Sequence, residues 1–325
     1  MFNCSIIGLG NAGYKIDEDL LRQLIWTHNK AYQEHPSTRL VAVCDGDSIE
    51  RRRFGFFNPS IPIYKNYKDV PKMDIVSIST PTSTHLEIAK YIAENKLAKA
   101  IFCEKPLAFS TKDCKEIVDV CKDNDIILAV NYMRRWDLLY ITIKNLIELE
   151  ELGKLVSAVG YTNTALYQNA SHMIDLMIWL CGEPINIWGN FKKDFVRTVH
   201  GAVDYGGIFH FDTDKDVDCM LSAHCDDLGK HRFELDLNFT DGRISISNDG
   251  STKIVQKFHP SGKISNVKEL YNSTFHFPSS GERMLYAISN IIQVLEGREK
   301  EVRCSGEEAT KSVDFIERCY DLWWR

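Results

Sequence analysis

Residues 2–13 read FNCSIIGLGNAG, an apolar run that turns directly into G-x-G-x-x-G. No other junction constrains this chain as tightly. A strand ending in glycines lets main-chain N–H groups approach a pyrophosphate, and a helix start just beyond it favours the anion. Gly8, Gly10, Asn11, Ala12 and Gly13 are the predicted phosphate cradle. The same motif without a preceding strand would be weak evidence; here it reads as a dinucleotide signal.

The next hundred residues repeat the theme. Apolar runs at 40–44, 75–79, 100–103 and 126–130 follow the run at 2–7. Between them, Leu86, Ala89, Ile92 and Ala93, then Cys114, Ile117, Val118 and Cys121, recur at helical spacing. This alternation predicts an α/β Rossmann domain, a doubly wound parallel sheet, over 1–131. After about Gly153 the period becomes two. Phe233, Leu235, Leu237 and Phe239 alternate with Arg232, Glu234, Asp236 and Asn238, and Asp241-Gly242 supplies a hairpin turn. Ile244 and Ile246 return, Asn248-Asp249-Gly250 turns again, and 253–258 follows. Two helices close the chain, striped by Met284, Ile288, Ile291, Ile292 and Leu295, then by Val313, Ile316 and Tyr320. Residues 132–325 are therefore expected to form an α+β domain with a large, mostly antiparallel, open-faced sheet, its last helix packing back on the first domain.

Several function classes fall away. The 325 residues carry 39 Lys+Arg against 45 Asp+Glu, a net charge of −6, which argues against a nucleic-acid or anionic-membrane surface. No apolar run approaches the ~20 residues of a membrane span, and the start lacks a signal peptide's basic region and cleavage site. The ten cysteines are scattered without C-x-x-C or zinc spacing. No structural disulfide, metal site or flagged catalytic thiol is expected, and a cytoplasmic location is.

Ligands of a doubly wound sheet sit at its carboxyl edge. Asp45 ends the second strand, where a carboxylate accepts from the adenosine ribose hydroxyls and favours NAD over NADP. It lies 37 residues after Gly8 rather than the usual ~20, so 14–26 reads as an insertion, with Thr27 capping the helix behind it. That insertion lies beside the phosphates, where it either reaches over the site or is a surface excursion. Arg51-Arg52-Arg53 reads either as a 2′-phosphate clamp or as a solvated helix face; the Asp45 carboxylate favours the latter. Thr80, Pro81 and His85 follow the fourth strand, and Glu104-Lys105-Pro106 follows the fifth. Lys105 is thereby placed near the nicotinamide.

Residues 171–180 form a helix apolar nearly all round, and His172 and Asp175 share one of its faces. Buried polar groups need partners or a wet cavity, so these two either pair structurally or line a substrate site. An imidazole, with an ordinary pKa near ~6.5, suits proton exchange with an alcohol at neutral pH. His172 is assigned as general acid/base, Lys105 as the donor that stabilises developing alkoxide charge, and Asp175 as a substrate or orienting group. Arg134 and Arg135 are candidates for a substrate carboxylate or phosphate.

The order of these pieces resembles the glucose–fructose oxidoreductase / inositol dehydrogenase / rhizopine catabolism (Gfo/Idh/MocA) family across essentially the whole chain. The resemblance rests on GLGNAG, Pro81 to His85, Glu104-Lys105-Pro106, the segment from Asn131 to Asp137, and His172-Met173-Ile174-Asp175. It implies an NAD(P)-linked oxidoreductase of a sugar, cyclitol or nucleotide sugar, assembled as a homodimer or homotetramer through the open sheet face. One departure stands out: many members carry Asp four residues before the histidine and Gly two before it, where this chain has Gln168 and Ala170. Gln168 cannot exchange protons, which leaves His172 and Lys105 with that chemistry and Asn169 for a substrate hydroxyl. Asn169 to His172 looks like branches associated with surface-polysaccharide sugars. Two other readings accompany the dehydrogenase: a catalytically silent NAD/sugar sensor of the same fold, and an NAD-dependent glycosidase.

Overall fold

A computed structural model of the chain describes residues 1–19, 21, 24–199, 202–224, 231–278 and 281–322. Its contacts define two units. The first is Met1–Trp136 with Glu282–Val313; the second is Asp137–Gly281 with Asp314–Arg325.

The first unit is built on a six-stranded parallel sheet of β1 (Phe2–Ile7), β2 (Thr38–Cys44), β3 (Ile63–Tyr64), β4 (Ile75–Ile78), β5 (Ala100–Cys103) and β6 (Ile127–Val130). Its order is β3-β2-β1-β4-β5-β6, the doubly wound arrangement expected. β4 and β5 are buried at every residue, as strands covered on both faces must be. Only β3, two residues long, has no counterpart among the sequence runs. The crossovers carry α1 (His28–Glu34), α2 (Ser48–Phe57), α3 (His85–Glu94) and α4 (Thr111–Asp123). Thr27 caps α1 as expected, its Oγ1 accepting from Lys30 N–H at 3.1 Å.

The second unit holds α5 (Leu138–Glu148), α6 (Ser171–Cys181) and eight strands: β7 (Leu155–Thr162), β8 (Pro184–Val199), β9 (Ala202–Thr213), β10 (Asp218–Ala223), β11 (Phe233–Phe239), β12 (Gly242–Ser247), β13 (Thr252–Pro260) and β14 (Lys268–Ser273). The sheet order is β14-β13-β12-β11-β7-β10-β9-β8. Among the described pairs only β10–β7 is parallel. β11 alternates buried and half-buried residues as its period of two requires. The long β8–β9 hairpin was not singled out in the sequence, because its polar stretch 192–194 interrupts the alternation. Gly160 of β7 lies under α6. A Cβ there would come within 2.7 Å of Met177 Sδ and 2.8 Å of Met173 Cγ, so the missing side chain sets how closely helix and sheet pack.

The chain then adds α7 (Arg283–Leu295) and α8 (Gly306–Asp321). α7 belongs to the first unit, a correction to a single boundary at 131. Its Met284, Ala287, Ile288 and Ile291 join the core that also holds Tyr132 and Trp136, which moves the first cut to Trp136. Trp136 Nε1 donates to Asn290 Oδ1 at 2.9 Å within that core.

Filling the contact at β7 should be costly. Gly160→Val is expected to destabilise the protein by about 1–3 kcal/mol through overpacking, read as a lower urea midpoint at unchanged m-value.

Candidate active site

The glycine turn is clamped to the sheet edge by main chain and side chains together. Gly8 N–H donates to Cys44 O at 2.8 Å, and Ser79 Oγ donates to Gly8 O at 2.7 Å. Gly8 has φ +101°, and a Cβ on it would sit 2.6 Å from the Ser79 carbonyl carbon. Only glycine satisfies both conditions. At Gly10 the same construction meets nothing within 4 Å, so this backbone is open to a ligand. The turn forms one wall of a cleft of about 760 Å³ within the first unit, lined also by Asp45, Thr80, Pro81 and Thr84. A glycine wall, a strand-end carboxylate and a cleft of this size fit a dinucleotide.

Asp45 does more than face the cleft. One carboxylate oxygen accepts from Leu9 N–H at 2.7 Å and the other from Asp47 N–H at 2.8 Å. A carboxylate offers about four acceptor positions, so both ties leave capacity for ribose hydroxyls. Arg51 Nη1 donates to the carbonyls of Asp45 and Gly46 at 2.7 and 2.8 Å. Arg53 pairs with Glu50 at 3.1 Å and with Glu18 at 3.5 Å. These two arginines bind their own surroundings, and Arg52 is exposed.

The expected helix start beyond the glycines is displaced. His28 N–H and Asn29 N–H donate to the carbonyls of Ala12 and Gly13, each at 3.0 Å. The first turn of α1 therefore continues the glycine turn, and described residues between them, from Tyr14 to Asp19 and from Leu24 to Thr27, lie outside that junction. Asn11 O accepts from Ile16 N–H at the start of the excursion, which is seated by Tyr14 against Phe54 at 5.0 Å. Asp17 accepts from Thr27 Oγ1 at 2.6 Å and from Asn29 Nδ2 at 3.0 Å. The expectation that the insertion reaches over the site falls partly on residues 20, 22 and 23, which lie outside the described residues.

Two expected coenzyme contacts are placed elsewhere. His85 is fully buried, its ring nitrogens 3.0 Å from Thr80 O and 3.1 Å from Leu107 O. It ties together the loops after β4 and β5 and is not part of the cleft lining. Glu104 faces inward as well: His28 Nε2 lies 3.0 Å from its Oε1, and Asn131 Nδ2 donates to the same oxygen at 2.6 Å. Lys105 follows, half-buried, at the carboxyl edge of β5, and the Lys105–Pro106 peptide is cis. Arg134 and Arg135 are both buried, and Arg135 Nη1 donates to Glu308 at 3.1 Å. That bond ties Arg135 into the first unit's own structure.

In the second unit, His172 and Asp175 are 7% and 1% exposed on a helix whose other faces are apolar. Gln168 breaks the turn Leu166–Ala170 with ψ −129°, and Asn169 just before α6 is exposed. A residue the sequence reading missed holds this turn. Asp204 of β9 is fully buried; its carboxylate accepts from Tyr167 N–H at 2.8 Å and from Tyr320 Oη at 3.0 Å. Burial pushes the Asp204 carboxyl up to about 6 against the opposing pull of Tyr320 and the N–H groups of Tyr167, Gln168 and Leu166. A lone Asp in a strand was the only signal available.

Comparison with known proteins agrees with this architecture. Residues 2–132 match the model of an oxidoreductase family with an NAD-binding Rossmann fold. The chain is 33% identical over 165 residues to scyllo-inositol 2-dehydrogenase (NAD(+)) of Bacillus subtilis, covering 49% of this chain and 44% of that one. It is 32% identical over 154 residues to levoglucosan dehydrogenase of Pseudarthrobacter phenanthrenivorans, covering 41% and 39%. The matched stretches span about half the length of these relatives or less. Among solved structures, levoglucosan dehydrogenase in complex with NADH and L-sorbose superposes with TM-score 0.79 at 17% identity, over 99% of this chain and 96% of that one. The WlbA dehydrogenase from Bordetella pertussis, in complex with NADH and UDP-GlcNAcA, gives 0.77 at 16%, over 98% and 95%. Both likenesses show the shared fold. Residues 2–132 are thus similar to that NAD-binding oxidoreductase family, and the doubly wound sheet of the first unit is the Rossmann fold which that family model describes.

Asp204 yields a pH prediction. A carboxyl with a raised folded-state pKa stabilises the fold fully below its unfolded value, and that contribution is lost as pH rises through the folded value. Wild-type stability relative to Asp204→Asn should fall between about pH 4 and about pH 6 and level off above that. Urea titrations across pH 3.5–8 would read this as a sloping difference; a flat difference would contradict the assignment.

Proposed function

We propose that the protein is an NAD-dependent oxidoreductase acting on a CH–OH group of a sugar, cyclitol or nucleotide sugar. The observation that carries this reading is the first unit's cleft, where open Gly10, Asp45, Thr80 and Pro81 line a space fit for a dinucleotide. Gly8, Gly10, Thr80 and Pro81 would hold the coenzyme, and Asp45 its adenosine ribose. Bound there, NAD would supply a hydride acceptor or donor. Arg51 and Arg53 are held by neighbours of their own, which supports NAD over NADP.

The chain's own groups supply the proton chemistry. Lys105 donates a hydrogen bond to the reacting oxygen and stabilises negative charge as it develops there. His172 takes the hydroxyl proton during oxidation and returns it during reduction. Asp175, Asn169 and Arg134 bind the substrate's remaining polar groups. The relatives named for inositol and levoglucosan support a polyhydroxylated substrate. A nucleotide sugar from surface-polysaccharide metabolism is the narrower form of this proposal.

Assembly and location belong to the same proposal. Trp188 of β8 is 51% exposed, a large apolar side chain on the open sheet through which a second copy would pack in a homodimer or homotetramer. The nine described cysteines are buried and in no disulfide, in keeping with a reducing cytoplasm. No described helix is long and apolar enough to cross a membrane, and no described cluster of His, Cys, Asp and Glu could hold a metal.

His172→Ala should lower kcat about 10²–10⁴-fold while leaving the Kd for NAD unchanged, read by stopped-flow turnover and by calorimetry. Unchanged turnover would remove the acid/base assignment. Asp45→Ala should weaken NAD binding and narrow its margin over NADP; an unchanged preference would remove the ribose contact.

A further inference from the structure

A continuous line of polar side chains runs through the interior of the first unit and ends beside Lys105. Tyr32 Oη and Ser77 Oγ are 2.7 Å apart, and Ser77 Oγ lies 2.8 Å from His28 Nδ1. Across the ring, His28 Nε2 is 3.0 Å from Glu104 Oε1, which also accepts from Asn131 Nδ2 at 2.6 Å. The members come from α1, β4 and the carboxyl ends of β5 and β6. Tyr32, Ser77 and His28 are fully buried, Asn131 is 2% exposed, and the Glu104 side chain is 14% exposed.

An ionised Glu104 carboxylate can only accept, so His28 Nε2–H is the donor in that contact. The Ser77 and Tyr32 hydroxyls, each able to donate or accept, extend the line from His28 Nδ1. Phe102 meets the His28 ring edge-on at 4.8 Å and fixes its plane. A tie needed only to hold α1 against the sheet would gain little from a carboxylate, because a buried ionic contact is a weak source of stability. The carboxylate has a nearer use, since its chain neighbour is the lysine assigned to the reacting oxygen.

We propose that His28 is a positioning residue that holds Glu104 ionised and fixed, and that Glu104 in turn keeps Lys105 an ammonium. This rests on the reading of Lys105 given above. Burial raises the Glu104 carboxyl, but the His28 bond and charge, the Asn131 bond and the Lys105 charge outweigh it and hold the group below its ordinary range. The other titratable neighbour is the Cys103 thiol, pushed well up by burial and by the Glu104 charge, so it stays protonated. An ammonium can donate to an alkoxide-like oxygen and offset its charge; a neutral amine can donate but offsets far less.

The test is an NMR titration of the full chain carrying lysine labelled with ¹³C at Cε, with the Lys105 signal assigned by its loss in Lys105→Arg. In wild type the signal should titrate once, at high pH, with no step between pH 6 and 8. In Glu104→Gln that titration should move about one pH unit lower. In His28→Leu, Glu104 loses its donor and takes up a proton in the neutral range, so Lys105 should show a second step between pH 6 and 8. His28→Gln, which keeps a donor near the Nε2 position, should remove that step; a purely structural role would not separate Leu from Gln. Should His28→Leu fail to fold, Glu104→Gln still decides the outer half of the proposal, and Ser77→Ala removes the contact that orients the His28 ring in its place. An unmoved Lys105 titration in Glu104→Gln, or identical curves for His28→Leu and His28→Gln, would overturn the inference. Turnover is not required. A chain that oxidises no polyol would defeat the proposed function and leave this titration to be judged by itself.

Discussion

The hold on the glycine turn governs the rest of the first unit. Five groups grip residues 8–13: Cys44 O and Ser79 Oγ on Gly8, the Asp45 carboxylate on Leu9, and the His28 and Asn29 N–H groups on Ala12 and Gly13. They come from the ends of β2 and β4 and the start of α1, so β1, β2, β4 and α1 must all be in register before the turn takes its shape. The same register puts Asp45, Thr80 and Pro81 on one cleft. Phosphate-binding geometry in this protein is a consequence of sheet packing, not of a loop that shapes itself.

That hold also explains how the insertion is tolerated. The hydrogen bonds from His28 and Asn29 to Ala12 and Gly13 close the base of the excursion, so its residues add length without parting strand from helix. Loop-closure cost grows slowly with length, and a base already fixed by packing makes it smaller still. The closure also delivers His28 to the underside of β5, where it meets Glu104. In this way an event near residue 14 bears on a lysine at 105.

Much of this was legible in the residues. Strands buried on both faces announce themselves as apolar runs, and Thr27 announces a helix start, because both follow from local chemistry. The period-two run at 233–239 is legible for the same reason. Burial of α7 was legible from its stripe, but the unit it joins was not, since a stripe does not say which core it faces. Likewise Glu104 and His85 read as edge residues facing a ligand, and the direction in which they point depends on His28, Asn131 and Leu107, distant in sequence. Arg135 read as a substrate arginine until Glu308, 173 residues on, took it. Asp204 gave almost no signal, because its partners are main-chain N–H groups of a turn that no motif marks.

All of this depends on the first unit's glycine-walled cleft being the seat of the dinucleotide. A crystal structure of the protein with NAD tests that most directly. The prediction is a dinucleotide against Gly8 and Gly10 with its adenosine ribose hydroxyls on the Asp45 carboxylate. A dinucleotide bound away from the glycine turn, or a ribose out of reach of Asp45, would contradict it.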